Sequence, residues 1–273
     1  MITAERIIAG ELSASSAIGK PELYPELSRN KFLGTSHKIE AGEGFDVLTA
    51  VLYMQPANES GREACAGRSA GCTDACLAES VGRMSMTSAQ RARRRRHAAF
   101  FSNRNAFLAD LHAEIQSHTA RAAKQGKVAA IRLNGTTDLP WHRMRFIDHG
   151  GRLWGSLHEA NPDVQFYEYT KMPLSIAGKN LPPNLHLTFS LSDREDSDAR
   201  AIQYLSAGLS VAMVADHTRH NPPGSVLLGG HVWPTVDGDA HDARFLDPAS
   251  SVVMLAAKGR AKRDTTGFVR KVA

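Results

Sequence analysis

Apolar and polar residues along the chain recur with two different periods, and the switches between them mark a repeating order of strands and helices. Phe45-Asp-Val-Leu-Thr-Ala-Val-Leu-Tyr-Met54 is a near-continuous apolar run, closed by Gln55-Pro56-Ala57, and predicts a buried strand. From about Ser85 to Lys124 the period lengthens. Phe100, Phe107, Leu108, Leu111 and Ile115 fall at helical spacing with charged residues between them, and Gln125-Gly126 supplies the stop. Four more strands are predicted at Lys127–Leu133, Val164–Tyr169, Leu185–Ser190 and Leu209–Ala215, with a helix over Ser197–Ala207 before the last. The first forty residues are polar and turn-rich and carry no period. The chain therefore divides into an N-terminal extension, 1–44, and a single domain, 45–273, with a cysteine loop at 63–77.

Strands alternating with helical crossovers imply an α/β fold with a parallel sheet. Four successive strands end in polar clusters, the regularity of a parallel βα barrel, partial rather than closed. In such folds chemistry sits beyond the carboxyl ends of the strands.

Of the 273 residues, 42% are hydrophobic, enough for one large domain. The formal net charge of +5 permits an anionic partner without requiring one. No apolar run is long enough to cross a bilayer, and the N-terminus lacks the apolar segment of a signal peptide, so a cytoplasmic setting is expected. The three cysteines all lie within twelve residues, a poor disulfide framework and a good ligand set.

Cys65, Cys72 and Cys76 are spaced C-x6-C-x3-C on a glycine-bearing loop directly after the first strand. Thiolates suit iron–sulfur clusters and zinc. A structural zinc takes four protein ligands, and no fourth cysteine is present. The expected cofactor is a four-iron, four-sulfur cluster with one iron left open to a small chelating molecule.

This order of strand, cysteine loop, helix and polar strand ends resembles the radical S-adenosylmethionine superfamily. The resemblance implies a partial barrel, a four-iron cluster and S-adenosylmethionine bound on the open iron, with an electron donor as partner. The spacing departs from that superfamily's usual C-x3-C-x2-C. A second resemblance runs from about Leu48 onward. Cys65…Gly71-Cys72…Cys76-Leu77, Arg132-Leu-Asn-Gly-Thr-Thr-Asp138, Phe166-Tyr-Glu-Tyr-Thr-Lys171, Leu185-His-Leu-Thr-Phe-Ser190, Asp237-Gly-Asp239…Asp242 and Ala257-Lys258-Gly259 are similar to the phage-encoded gene product eighty-eight family. That family has no assigned activity, and the likeness implies a setting in the cytoplasm of a bacterial host.

In a barrel Asn134, Thr136, Thr137 and Asp138, at the end of the second strand, would face the cluster mouth as cofactor-binding groups, with Ser190 in a similar place. Asp138 has the alternative of capping the turn before Pro140-Trp141. Tyr169, Thr170 and Lys171 are candidate substrate contacts, Lys171 as a point charge toward carboxylate or phosphate. His186 reads as a satisfied residue within its strand. Asp237, Asp239, His241 and Asp242 form an acidic cluster that a divalent ion, a substrate or a plain turn would each explain. Arg91 and Arg93, Arg94, Arg95 and Arg96 form the strongest charge run. On a helix they spread around the cylinder, leaving a solvated helix start or a phosphate contact as alternatives. No catalytic acid, base or hydrogen donor is assigned. The functional expectation is an iron–sulfur enzyme of radical type acting on an unidentified nucleotide, nucleic acid or peptide. The alternatives are a zinc- or cluster-stabilised nucleic-acid-binding protein without catalysis, and a divalent-metal phosphoesterase.

Overall fold

The computed structural model describes residues 32–34, 42–57, 61–80 and 82–272; most of the expected N-terminal extension lies outside the described residues. Eleven strands are described: β1 (Leu33–Gly34), β2 (Val47–Leu52), β3 (Val128–Arg132), β4 (Phe146–Ile147), β5 (Leu153–Trp154), β6 (Gln165–Thr170), β7 (Leu185–Ser190), β8 (Ser210–Ala215), β9 (Ser225–Leu228), β10 (His231–Asp237) and β11 (Val252–Ala256). The α-helices are α1 (Ala70–Asp74), α2 (Leu77–Ser80), α3 (Thr87–Ser102), α4 (Arg104–Lys124), α5 (Leu157–Ala160), α6 (Leu174–Ala177) and α7 (Ser197–Ser206).

Nine strands form one sheet in the order β1-β2-β3-β6-β7-β8-β11-β10-β9, and β4 and β5 pair separately. Every pairing from β2 through to β10 is parallel; only the edge strands β1 and β9 run antiparallel. The result is an α/β fold with a large, mostly parallel sheet that is not closed. All five strands predicted from the sequence are present, with ends within two residues of expectation.

Side chains alternate across the sheet because the strand period is two. Leu48, Ala50 and Leu52 of β2 and Ile131 of β3 join Phe107, Leu111 and Ile115 of α4 in the main apolar core. The alternate positions Val47, Ala130 and Tyr167 turn to the opposite face, where Phe245 from the β10–β11 connection packs on them.

The single long helix expected over 85–124 is two helices. Asn103 ends α3, donating its N–H to the Ala99 carbonyl at 3.0 Å, and caps α4 by accepting the Ala106 N–H on Oδ1 at 3.1 Å. An asparagine satisfies orphan N–H groups at a helix start, so it breaks a pattern whose apolar period runs straight through.

Strands β10 and β11 were not anticipated. Pro234 in β10 argues against a strand, since proline cannot donate to a ladder. The strand tolerates it because its partner changes there: residues up to Pro234 pair with β9, and Thr235 onward pairs with β11. Among the described residues, no helix is long and apolar enough to cross a membrane.

Candidate functional site

The cysteine loop leaves β2 and folds back over the carboxyl ends of β3, β6 and β7. Its backbone is fixed at several points. Asp138 N–H donates to the Ala64 carbonyl at 2.8 Å, and Arg68 N–H to the Cys65 carbonyl at 2.9 Å. Ser69 caps α1 by accepting the Cys72 N–H, and its hydroxyl donates to the Asp193 carboxylate, which also accepts the Gly71 N–H at 3.1 Å.

Two glycines permit this packing. A Cβ at Gly67 would sit 2.9 Å from Lys171 Cβ, and one at Gly71 would press within 2.8 Å of Phe268 Cβ and of the Asp193 carboxylate. The loop thus lies against strand ends on one side and against the segment around Thr266 and Phe268 on the other.

Cys65, Cys72 and Cys76 line a single cleft of about 370 Å³. Asn134, Thr136, Thr137 and Asp138 from the end of β3, Tyr169, Thr170 and Lys171 from the end of β6, and Ser190 from β7 line the same cleft. Eight expected cofactor or substrate residues and all three cysteines are therefore brought together. Arg68, Arg132 and Arg260 also line it and were not expected there. Arg260 sits among C-terminal basic residues, and only topology shows which of them faces the cleft.

Each strand-end group has a defined setting. The Cys65 thiol donates to the Thr136 carbonyl at 3.7 Å and its sulfur accepts the Ala57 N–H at 3.3 Å. Lys171 Nζ spends its three protons on the Ser190 carbonyl, Ser190 Oγ and the Leu191 carbonyl, at 2.9–3.1 Å. Asp138 accepts the Lys171 N–H at 2.9 Å. The turn before Pro140 is capped by Asn134, whose Oδ1 accepts from Thr137, from the Leu139 N–H and from Trp141 Nε1, all at 2.9 Å. The cap of this turn is therefore Asn134 and not Asp138, whose carboxylate faces the Lys171 N–H.

Burial dominates the electrostatics. It pushes the Cys65 thiol up to about 12, helped by Asp138 and by the charge of Cys72 and Cys76. The same burial raises Asp138 and lowers Lys171, which Cys72 and Asp138 partly restore. Burial works against the Arg132 charge, and Asp242 beside it more than compensates. Such a pocket disfavours lone charges and rewards matched ones.

The family model of Gene product 88 matches residues 25–272. The chain belongs to that family. The match covers the whole sheet and bears out the resemblance carried by the sequence blocks from Leu48 onward. No curated protein and no solved structure matches the chain.

In this Gene product 88 protein the acidic cluster is not part of the cleft lining. Asp237 pairs with His220 at 2.8 Å, and Asp239 accepts the Ala256 N–H and pairs with Lys258. Asp242 pairs with Arg132 at 2.9 Å and accepts the Tyr167 hydroxyl at 3.0 Å, so it reaches the cleft only through Arg132. Among the described residues, no three His, Cys, Asp or Glu side chains are set to hold one metal ion.

The arginine run divides as helical geometry requires. Arg93 is buried and donates to the Ala78 and Met84 carbonyls at 2.8 Å, and Arg96 donates to the Tyr53 carbonyl; Arg91, Arg94 and Arg95 are exposed. His186 Nε2 is buried without a hydrogen-bond partner, not satisfied as its strand position suggested. Buried Glu168, accepting the Leu133 and Asn134 N–H groups at 2.7 Å, holds the β3 end in place and carried no sequence signal beyond an acid inside an apolar strand.

Proposed function

We propose that this chain is an iron–sulfur protein, with Cys65, Cys72 and Cys76 holding a four-iron cluster over the strand ends. The observation that carries the reading is the convergence of all three thiols on one cleft with the polar ends of β3, β6 and β7. The donor set fits such a group. Burial favours the neutral Cys65 thiol, and coordination to a metal would deprotonate it outright. Three thiolates on a cluster bind different iron atoms, a wider spacing than one ion requires.

When bound, such a cluster supplies one-electron chemistry at an open iron. Around it, Asn134, Thr136, Thr137, Asp138 and Ser190 offer hydrogen bonds to a small chelating cofactor, S-adenosylmethionine in the radical-type reading. Tyr169, Thr170 and Lys171 stand on the substrate side. The sheet order, with β2, β3, β6, β7 and β8 adjacent and parallel in chain order, supports a partial βα barrel of that type. Asp237, Asp239 and Asp242 have their own partners, and of these only Asp242 bears on the cleft. The implied setting is the cytoplasm of a phage-infected host, with an electron donor as partner.

Protein purified without oxygen and reconstituted is expected to be brown, with about four irons and a 5′-deoxyadenosine product when S-adenosylmethionine and reductant are added. A protein holding cluster but unable to bind S-adenosylmethionine would end the radical reading alone. Stoichiometric zinc with salt-sensitive DNA binding would instead favour a metal-stabilised nucleic-acid binder, the reading that exposed Arg91, Arg94 and Arg95 support.

A further inference from the structure

A second cavity lies behind the cysteine cleft, on the side of the sheet that packs against helices. Its volume is about 110 Å³, and most of its wall is hydrocarbon from residues such as Trp141, Met172, Ala177, Leu185 and Leu187. Asn134, Asp138 and Thr170 line both cavities and form the partition between them. Nothing in the strand or cysteine pattern of the sequence points to this space.

Its polar lining comprises Glu63, Asn134, Asp138, Arg143, Glu168 and Thr170, besides two histidines. Glu168 accepts two backbone N–H groups, and Asn134 Oδ1 accepts three donors while its Nδ2 donates to the Leu139 carbonyl. His158 is different. It is 1% exposed, it lines the cavity, and neither ring nitrogen has a hydrogen-bond partner. His142, with its ring centroid 6.3 Å from that of His158, also lines the cavity and leaves Nε2 buried without a partner.

Buried polar atoms are nearly always hydrogen-bonded, so an imidazole with both nitrogens unused calls for something to pair with it. A neutral imidazole offers one donor and one acceptor. Burial holds His158 down to about 3 and His142 to about 4, so both are neutral near pH 7 and present that pattern without charge. An apolar cavity of roughly 150 Å³ takes benzene, so this slightly smaller one suits a five-membered ring.

We propose that this cavity binds a small neutral heterocycle, or such a group at the end of a larger molecule, held by apolar walls and hydrogen-bonded to His158. The inference uses no property of the cluster and stands whether or not the thiols hold iron. Through the shared wall, an occupant would sit one side chain away from the cysteine cleft.

Pyrazole and thiophene separate the contributions, since both are five-membered rings and only pyrazole carries a paired donor and acceptor. Ligand-observed NMR titration of the full chain is expected to show pyrazole binding about fivefold or more tighter than thiophene. His158→Phe should remove that preference while leaving thiophene binding in place, and Ala177→Leu, which fills the cavity, should weaken both. Circular dichroism and a thermal melt establish that each variant is folded; if His158→Phe is not, Ala177→Leu decides. Equal binding of the two rings, no binding of either, or pyrazole binding untouched by the filled cavity would each overturn the proposal and leave ordered water as the partner of His158.

Discussion

Two polar clusters follow strands in this molecule, and they have opposite fates. The cysteine cleft gathers groups from a loop and three strands around open volume, with the Cys65 thiol bonded to backbone atoms. The acidic turn after β10 holds three aspartates within six residues, yet each is engaged by a cation or backbone donor of its own. By residue type the turn looks as much like a site as the loop does. What separates them is whether open volume remains beside the functional atoms.

The largest effect expected concerns iron. Cys72→Ala should take a reconstituted preparation from about four irons to near none, whereas Asp239→Ala should leave iron unchanged. Iron lost equally from both variants would erase the distinction between the clusters. Next is thiol reactivity. With Cys65 raised to about 12 against an ordinary thiol near 8.5, its thiolate fraction at pH 8 is roughly a thousandfold lower. Alkylation of the metal-free protein, followed by peptide mass mapping, should be correspondingly slow at Cys65 and climb tenfold per pH unit up to about pH 11.

Asp242→Ala comes third. It strands Arg132 beside the cleft and removes the acceptor of the Tyr167 hydroxyl, and denaturant unfolding should register a loss of about 3–5 kcal/mol. A loss below about 1 kcal/mol would mean that the pair is screened by solvent. The smallest effect belongs to Asp237. Burial opposes its charge, but the hydrogen bond from His220 holds its carboxyl below the ordinary value. Its contribution is therefore present above the unfolded value near 3.9 and lost as pH falls through the folded one. Asp237→Asn should lower stability by its full amount above about pH 4, and the difference should fade as pH falls below that, flattening the acid limb of the stability profile.

The parallel sheet could be read from the sequence because buried strands leave unbroken apolar runs, as in Phe45–Met54 and Leu185–Ser190. The cleft was legible for a related reason: strands that share a direction end on the same side, so Asn134, Tyr169 and Ser190 meet although 56 positions separate the first from the last. The acidic turn misled because composition reports ligand types and says nothing of Lys258 or Arg132 arriving from elsewhere in the chain. The cavity at His158 was invisible for the converse reason. A histidine beside Leu157 at the start of a four-residue helix is ordinary in sequence, and only its unpaired nitrogens distinguish it. The break at Asn103 shows the limit of periodicity, which records the buried face of a helix and not its continuity.

The packing of Gly71 against Thr266 and Phe268 also sets an order of assembly. Residues 264–270 follow every strand of the sheet, and Arg270 docks beside Ala215 of β8 only after the sheet has somewhere to receive it. A growing chain therefore builds most of its sheet before the segment that packs on the Gly71 side of the loop is made. The loop that carries the cysteines is thus made well before the segment its Gly71 packs against.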